Sequence, residues 1–355
     1  MQHRTALLLA ALSVASSIEA PRSRACAPTK TALRAPKTNP LHAVAAGGAL
    51  DAGLAKRLEV GAVFALWYAL NVYYNVLNKK VLKVVKLPWL VATAQLAVGG
   101  LYSLGVWAAG LRAGPADLGA AVKAALPIAA AHGAGQAATV VSLGAGAVSS
   151  THVIKALEPL FSAAVNAGVN GEVLPLGVYA SLLPVIGGVG GAVATDLSFN
   201  PLSFAAAMAS NLCFAFRAVC SKNAMRAPGS VLAALGAPSL FGVVTLGALL
   251  LVAPVALALE LPGFADAVAG VASPGLAASL ACSGLFHYLN NEVMYLALAR
   301  VHPVTLAVGN TLKRVVVILA ALVVFQEPMN LATAVGTAVA IAGVLLYSVL
   351  KQKLA

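Results

Sequence analysis

The chain has 355 residues, 60% of them hydrophobic and only 10% charged, with a formal net charge of +12 at neutral pH. An ordinary soluble domain carries roughly a quarter charged residues, so the composition excludes a globular domain with one anchor and indicates an all-α membrane protein of many spans. The bases are not gathered into one patch, as a nucleic-acid surface requires, so no nucleic-acid partner is expected.

Part of the positive charge sits at the front. Arg4, Arg22, Arg24, Lys30, Arg34 and Lys37 precede residue 51, against the single acid Glu19. Residues 1–20 pair His3 and Arg4 with an apolar run and then small residues, Ala15, Ser16, Ser17 and Ala20, which is a signal-peptide pattern. Residues 21–50 contain no acid and are rich in Arg, Lys, Ser, Thr and Ala, a transit-peptide composition. Together they suggest two-step import into a plastid bounded by extra membranes; a secretory signal followed by a basic linker is the alternative.

Hydropathy and turn residues then predict ten transmembrane helices, near 59–78, 88–111, 120–143, 147–169, 174–194, 201–222, 232–259, 275–299, 302–325 and 330–350. Each is close to the ~20 residues that a bilayer requires. Lys56, Arg57, Arg112, Lys123, Lys222, Arg226, Arg300, Lys351 and Lys353 fall on the side of the termini, and Lys79, Lys80, Lys83 and Lys86 on the other. The positive-inside rule therefore puts both termini in the stroma-like compartment.

The stretch from Thr151-His152-Val153-Ile154-Lys155 through Gly171-Glu172 to Gly187-Gly188 resembles that from Asn310-Thr311-Leu312-Lys313 through Gln326-Glu327 to Gly343. Each has a lysine early in a span, a short acidic loop and a Gly-rich span. Five spans per half is odd, so the halves, 51–200 and 201–355, would be inverted repeats, a design that places a binding site at the midplane between them.

Charges within apolar runs are costly and mark a pathway or site. Lys313 and Arg314 lie mid-span and, as neighbours, point about 100° apart on a helix. Lys155 precedes Pro159, which removes a backbone bond and predicts a kink; an i,i+3 pair with Glu158 is the bland reading of that lysine. Arg217 lies in the sixth span, where its planar fork suits phosphate, although it could instead sit near the surface with Lys222 and Arg226. Gln136 and Thr139, about one turn apart in the third span, could donate neutral hydrogen bonds. His152 is the best functional candidate among the histidines, ahead of His132 and His287.

Converging cations are expensive to occlude without a counter-charge. A phosphate dianion would supply it, so the loaded carrier should close readily and the empty one slowly, giving strict exchange. The scattered cysteines Cys26, Cys213, Cys220 and Cys282 give neither disulfide nor metal spacing, and no cofactor is expected. No Walker loop or nucleophile pattern appears, which disfavours a pump and an enzyme.

Several of these stretches carry a family resemblance: Leu66-Trp67-Tyr68-Ala69-Leu70-Asn71-Val72 with Tyr74-Asn75-Val76-Leu77-Asn78-Lys79-Lys80, Thr151-His152-Val153-Ile154-Lys155-Ala156-Leu157-Glu158-Pro159, Phe214-Ala215-Phe216-Arg217 with Ser221-Lys222, and Val308-Gly309-Asn310-Thr311-Leu312-Lys313-Arg314-Val315. Over roughly 59–350 the chain resembles the plastid phosphate translocators of the drug/metabolite transporter superfamily. The resemblance implies ten helices and antiport of inorganic phosphate against a phosphorylated C3, C5 or C6 compound in the inner plastid envelope. It also implies that Lys155, Lys313 and Arg314 grip phosphate, with Thr139 and Arg217 lining the site; Phe214 and His152 complete the candidate set from its motifs. This sequence departs from the family pattern at Asn290-Asn291-Glu292, where Asn290 replaces a tyrosine expected near the ligand, and at Gln136, where a histidine is common. Asn290-Asn291-Glu292-Val293-Met294-Tyr295 is similar to triose-phosphate-type carriers of algae with secondary plastids. Leu143 and Leu298-Ala299-Arg300-Val301 look more like phosphoenolpyruvate carriers. Triose phosphate and 3-phosphoglycerate are the expected substrates and phosphoenolpyruvate the alternative, with a secretory-pathway nucleotide-sugar exchanger of the same fold as a further one.

Overall fold

The computed structural model describes residues 41–354 except 272, 301 and 302. The signal reading and most of the transit reading, over residues 1–40, lie outside the described residues, as does Val301 of the phosphoenolpyruvate-like stretch. The chain divides into a leading unit that ends at Leu66 and a body, Trp67–Ala355. Among the described residues every regular element is helical: α1 Leu41–Val84, α2 Pro88–Ala108, α3 Leu118–Ala145, α4 Val148–Ile154, α5 Glu158–Asn170, α6 Leu176–Ala180, α7 Leu183–Ala194, α8 Pro201–Arg226, α9 Ala237–Glu260, α10 Phe264–Val271, α11 Pro274–Arg300, α12 Pro303–Phe325 and α13 Leu331–Leu354. Residues 41–50, read as the end of a transit-like leader, belong to the start of α1.

Helix starts follow local chemistry. Asp117 and Asn200 cap α3 and α8, each accepting a backbone N–H through its side chain. Proline opens α2, α8, α11 and α12, where its missing N–H costs nothing. Two carboxylates from distant chain positions also act as caps. Glu260 accepts from the N–H groups of Trp89 and Leu90 at the start of α2, and Glu327 from those of Val148 and Ser149 at the start of α4. Negative charge is favoured at a helix N-terminus, where backbone N–H groups lack internal partners.

Among the described residues, seven segments are long and apolar enough to cross a membrane: Leu58–Val84, Pro88–Ala108, Leu176–Ala194, Pro201–Arg226, Ala237–Asp266, Val308–Phe325 and Leu331–Leu354. The surface agrees, because Leu101, Leu250 and Val323 are 65–70% exposed while Asn75, Asn78, Gln95 and Gln136 are almost wholly buried. A chain folded in water would not choose that distribution. It is the one expected where lipid is the solvent and polar groups must find partners inside.

Boundaries differ from expectation in several places, beginning with the first predicted span, 59–78, which is part of a helix that continues through Lys79-Lys80 to Val84. The seventh span starts at Ala237 and not at 232, because residues 231–235 form turns. The stretch between the seventh and eighth predicted spans is not a plain loop but carries a short helical turn, Leu261–Gly263, and α10. The fifth predicted span, read as one helix over 174–194, is two, α6 and α7, parted at Ser181–Leu182 just before Pro184. Proline removes the backbone donor and its ring crowds the carbonyl four residues earlier.

Within the body, α3 packs against α8 and α9, α2 against α9 and α11, α4 against α12, α5 against α8, and α7 against α13. The turn between α3 and α4 is held by Lys79, whose Nζ donates to the carbonyl oxygens of Leu143 and Gly146, both at 2.6 Å. Lys79→Met removes both bonds from these part-buried carbonyls and is expected to lower the melting temperature of the purified chain. An unchanged melting curve would show that the turn holds without the lysine.

Candidate functional site

The site is built where a helix fails. The fourth predicted span breaks into α4, a single 3-10 turn over Lys155–Leu157, and α5. Pro159 at the start of α5 has no N–H for the carbonyl of Lys155, and the Glu158 N–H turns to that carbonyl instead. This leaves the Ile154 carbonyl without its helical partner, and Asn211 Nδ2 of α8 supplies one at 3.0 Å. Irregular backbone at membrane depth needs such a partner or a cavity to face; here it has both.

The cavity has a volume of about 670 Å³. All nine residues singled out from the sequence line it: Lys155, Lys313, Arg314, Arg217, Thr139, Gln136, Asn290, His152 and Phe214. Each cation there already has a resting place. Lys155 Nζ donates to Ser210 Oγ at 2.6 Å and Thr139 Oγ1 at 3.2 Å, and lies 4.8 Å from the centre of the Phe214 ring. Arg217 is buried in the sixth predicted span and not at a surface. Its guanidinium stacks 4.6 Å from the Phe214 ring centre and donates to His132 Nδ1 and Asn291 Oδ1. Lys313 lies 4.5 Å from the Trp67 ring centre. Aromatic faces attract cations, the more so out of water.

Arg314 is paired with Glu158, which corrects the local reading of that acid. Lys155 and Glu158 are three residues apart, but the 3-10 turn between them replaces α-helical spacing, and Lys155 turns to α3 and α8. The acid therefore bridges α5 to α12, across 156 positions of sequence. Four cations and one carboxylate line the cavity, so it carries a large excess of positive charge.

Neutral polar groups fill the remaining wall. Gln136 Nε2 donates to Tyr74 Oη at 3.1 Å and Gln95 Oε1 at 2.8 Å. Asn71 Nδ2 donates to Asn290 Oδ1 at 3.0 Å, and Asn75 Oδ1 lies 3.0 Å from His152 Nε2. Sequence reasoning gave no site role to Trp67, Asn71, Tyr74 and Asn75 of α1, nor to Asn310, Asn291, Met294 and His287, which also line the cavity. One signal was available: Trp67, Asn71 and Asn75 recur at a spacing of four, which puts them on one helix face. Glu292, of the departing Asn290-Asn291-Glu292 stretch, does not line the cavity. It pairs with Arg112 at 2.7 Å and ties the segment after α2 to α11. Among the described residues no group of His, Cys, Asp and Glu could hold a metal ion.

Comparison with known proteins adds the following. The model of the Triose-phosphate Transporter family matches residues 58–348. The chain is 41% identical over 327 residues to the triose phosphate/phosphate translocator, chloroplastic, of Flaveria trinervia, covering 89% of this chain and 78% of that one. It is 42% identical over 313 residues to phosphoenolpyruvate/phosphate translocator 1, chloroplastic, of Oryza sativa subsp. japonica, covering 86% and 75%. It is 38% identical over 315 residues to glucose-6-phosphate/phosphate translocator 1, chloroplastic, of Arabidopsis thaliana, covering 87% and 80%. A solved crystal structure matches with a TM-score of 0.53 and 15% identity, over 82% of this chain and 99% of its own, a likeness of fold alone.

Proposed function

The chain belongs to the Triose-phosphate Transporter family, and from that premise we propose that it exchanges inorganic phosphate for triose phosphate or 3-phosphoglycerate by alternating access. The observation that carries the proposal is the cavity where Lys155, Arg217, Lys313 and Arg314 meet with Glu158 as their one carboxylate. A low-dielectric chamber with that charge repels itself. A doubly negative phosphate group lowers the cost of closing around it, so transit is expected of the loaded protein and not of the empty one. Lys155, Lys313 and Arg314 would grip the phosphate, with Arg217, Thr139, Phe214 and His152 beside it and Gln136 and Asn290 towards the rest of the substrate. These roles make the protein a carrier and not an enzyme.

Ten spans in two inverted halves, 51–200 and 201–355, are part of the same proposal. Three predicted spans are absent from the seven strongly apolar ones, namely α3, the broken α4–α5 and α11. These three carry Gln136 and Thr139, Lys155 and Glu158, and His287 and Asn290, so the polarity that weakens their membrane signal belongs to the cavity wall. The packing supports the repeat. A shift of five spans turns the second–eighth pair, α2 with α11, into the third–seventh pair, α3 with α9. The same shift maps the α2–α9, α4–α12 and α7–α13 pairs onto themselves, and all of these contacts are made.

The proposed place is the inner envelope of a secondary plastid, with both termini in the stroma. Chloroplast relatives and the two-part leader support it. A second reading, exchange of phosphoenolpyruvate for phosphate, is favoured by the 42% identity to the rice translocator of that substrate and by Leu143 in the buried core.

Reconstituted into liposomes preloaded with phosphate, the chain should take up labelled phosphate quickly and release it at least about tenfold more slowly into substrate-free buffer. Triose phosphate and 3-phosphoglycerate should compete better than phosphoenolpyruvate or glucose 6-phosphate. Rapid one-way efflux would sink the exchange mechanism, and the order of competition decides between the two substrate readings.

A further inference from the structure

A second chamber, of about 520 Å³, lies among α5, α12 and α13 and shares Glu158, Asn310 and Arg314 with the central cavity. Arg314 thus borders both spaces, with its ion pair to Glu158 on the common wall. The rest of the chamber is lined mainly by Ser162, Thr311, Tyr347, Ser348 and Lys351. Lys351 belongs to the last turn of α13, so the chamber runs from the shared wall towards the end of that helix. It therefore has a cation at each end, Arg314 inside and Lys351 outside.

Three features ask for a ligand. Tyr347 is 6% exposed and its hydroxyl is buried without a hydrogen-bond partner. A buried hydroxyl left unpaired is costly, and such exceptions require an explanation. Lys351 lies 5.6 Å from the centre of the Tyr347 ring, half-buried at the same end of the chamber. A lysine in the last turn of a helix is favoured by the helix dipole alone, but the dipole does not explain the tyrosine hydroxyl beneath it. Finally, the single acid on the lining is already paired to Arg314, which leaves the chamber with an excess of one positive charge.

We infer that this chamber is a second phosphate-group site, in which Lys351 and the Tyr347 hydroxyl hold the group and Arg314 takes it over at the shared wall. The inference rests on the reading of the central cavity as a phosphate site. Arginine suits the hand-over because its fork can hold two oxygens at once, so contact with Arg314 need not be lost as the group crosses the wall. The same chemistry fits a free phosphate compound on its way to the centre and the headgroup of an anionic phospholipid seated between helices.

Equilibrium binding of labelled inorganic phosphate to the purified full chain tests the site. Lys313→Ala disables the central cavity without touching a residue of the second chamber, and should leave a weaker, salt-sensitive binding. Adding Lys351→Gln or Tyr347→Phe to that variant should weaken the residual binding at least tenfold. Residual binding in the double variants as tight as in Lys313→Ala alone would overturn the inference, as would a Lys313→Ala chain that binds nothing. Phosphatidylglycerol, with phosphatidylcholine as control, separates the sources: displacement of the residual phosphate marks a lipid headgroup as the occupant, and no displacement marks the free anion. The central reading fails by a different measurement, the absence of phosphate exchange in vesicles.

Discussion

Replacing Lys313 with alanine will cut phosphate exchange by at least about a hundredfold while leaving the purified chain as stable as the wild type or more so. The loss follows from taking one partner from a desolvated pair of opposite charges, which costs about 3–5 kcal/mol, where each 1.4 kcal/mol is a factor of ten. The stability half follows from the empty cavity, where Lys313 is one of four cations facing a single carboxylate. Removing it relieves repulsion, and what it gives up is its contact with the Trp67 ring. Arg314→Ala is a poorer probe, because it strands the partly buried Glu158 and mixes a folding cost with a binding cost. Lys313→Arg should restore part of the exchange, since the charge survives and the shape does not. A Lys313→Ala protein that exchanges phosphate at the wild-type rate would remove the central cavity from the transport path. One that fails to fold would show the lysine to be structural.

Much of this site was legible because charge in an apolar run is conspicuous. Lys155, Arg217, Lys313 and Arg314 can each be singled out by eye, and the proline after Glu158 marks the place where a helix must give way. The contribution of α1 was harder to read, since Trp67, Asn71 and Asn75 are neutral residues that serve equally well in ordinary helix packing. The partner of Arg314 could not be read at all. A local rule pairs Glu158 with Lys155, and only the 3-10 turn, together with the fold that brings α12 beside it, redirects the acid. Nor could the partner of Glu292 be read from the sequence, since Arg112 lies 180 positions away. Helix positions came mainly from apolar length and turn residues. They were least accurate at Pro184, where hydropathy runs smoothly through a backbone break.

Gly188→Ala will lower the melting temperature by at least about 5 °C, whereas Gly187→Ala, one residue away, will leave it unchanged or raise it slightly. A Cβ on Gly188 would collide with the backbone nitrogen of Ala340 and come within 2.7 Å of the Gly336 oxygen and 2.8 Å of the Ala340 Cα. All three are backbone atoms of α13, so no side chain can rotate away and the helices must part. Overfilling a packed contact costs about 1–3 kcal/mol even where side chains can adjust, and in domains of 150–250 residues each kcal/mol is worth about 2–4 °C. The contact is reciprocal: a Cβ on Gly336 would meet the backbone of Ala192 and Gly188. At Gly187 an added Cβ meets nothing within 4 Å, and alanine is the better helix former by about 1 kcal/mol. The opposite signs at adjacent residues separate close approach from helix propensity, which would move both variants the same way. Because α7 and α13 carry none of the residues that line the central cavity, the folded fraction of Gly188→Ala should still exchange phosphate, placing this close contact in the scaffold. Equal melting temperatures for the two variants would show that the helices do not approach this closely.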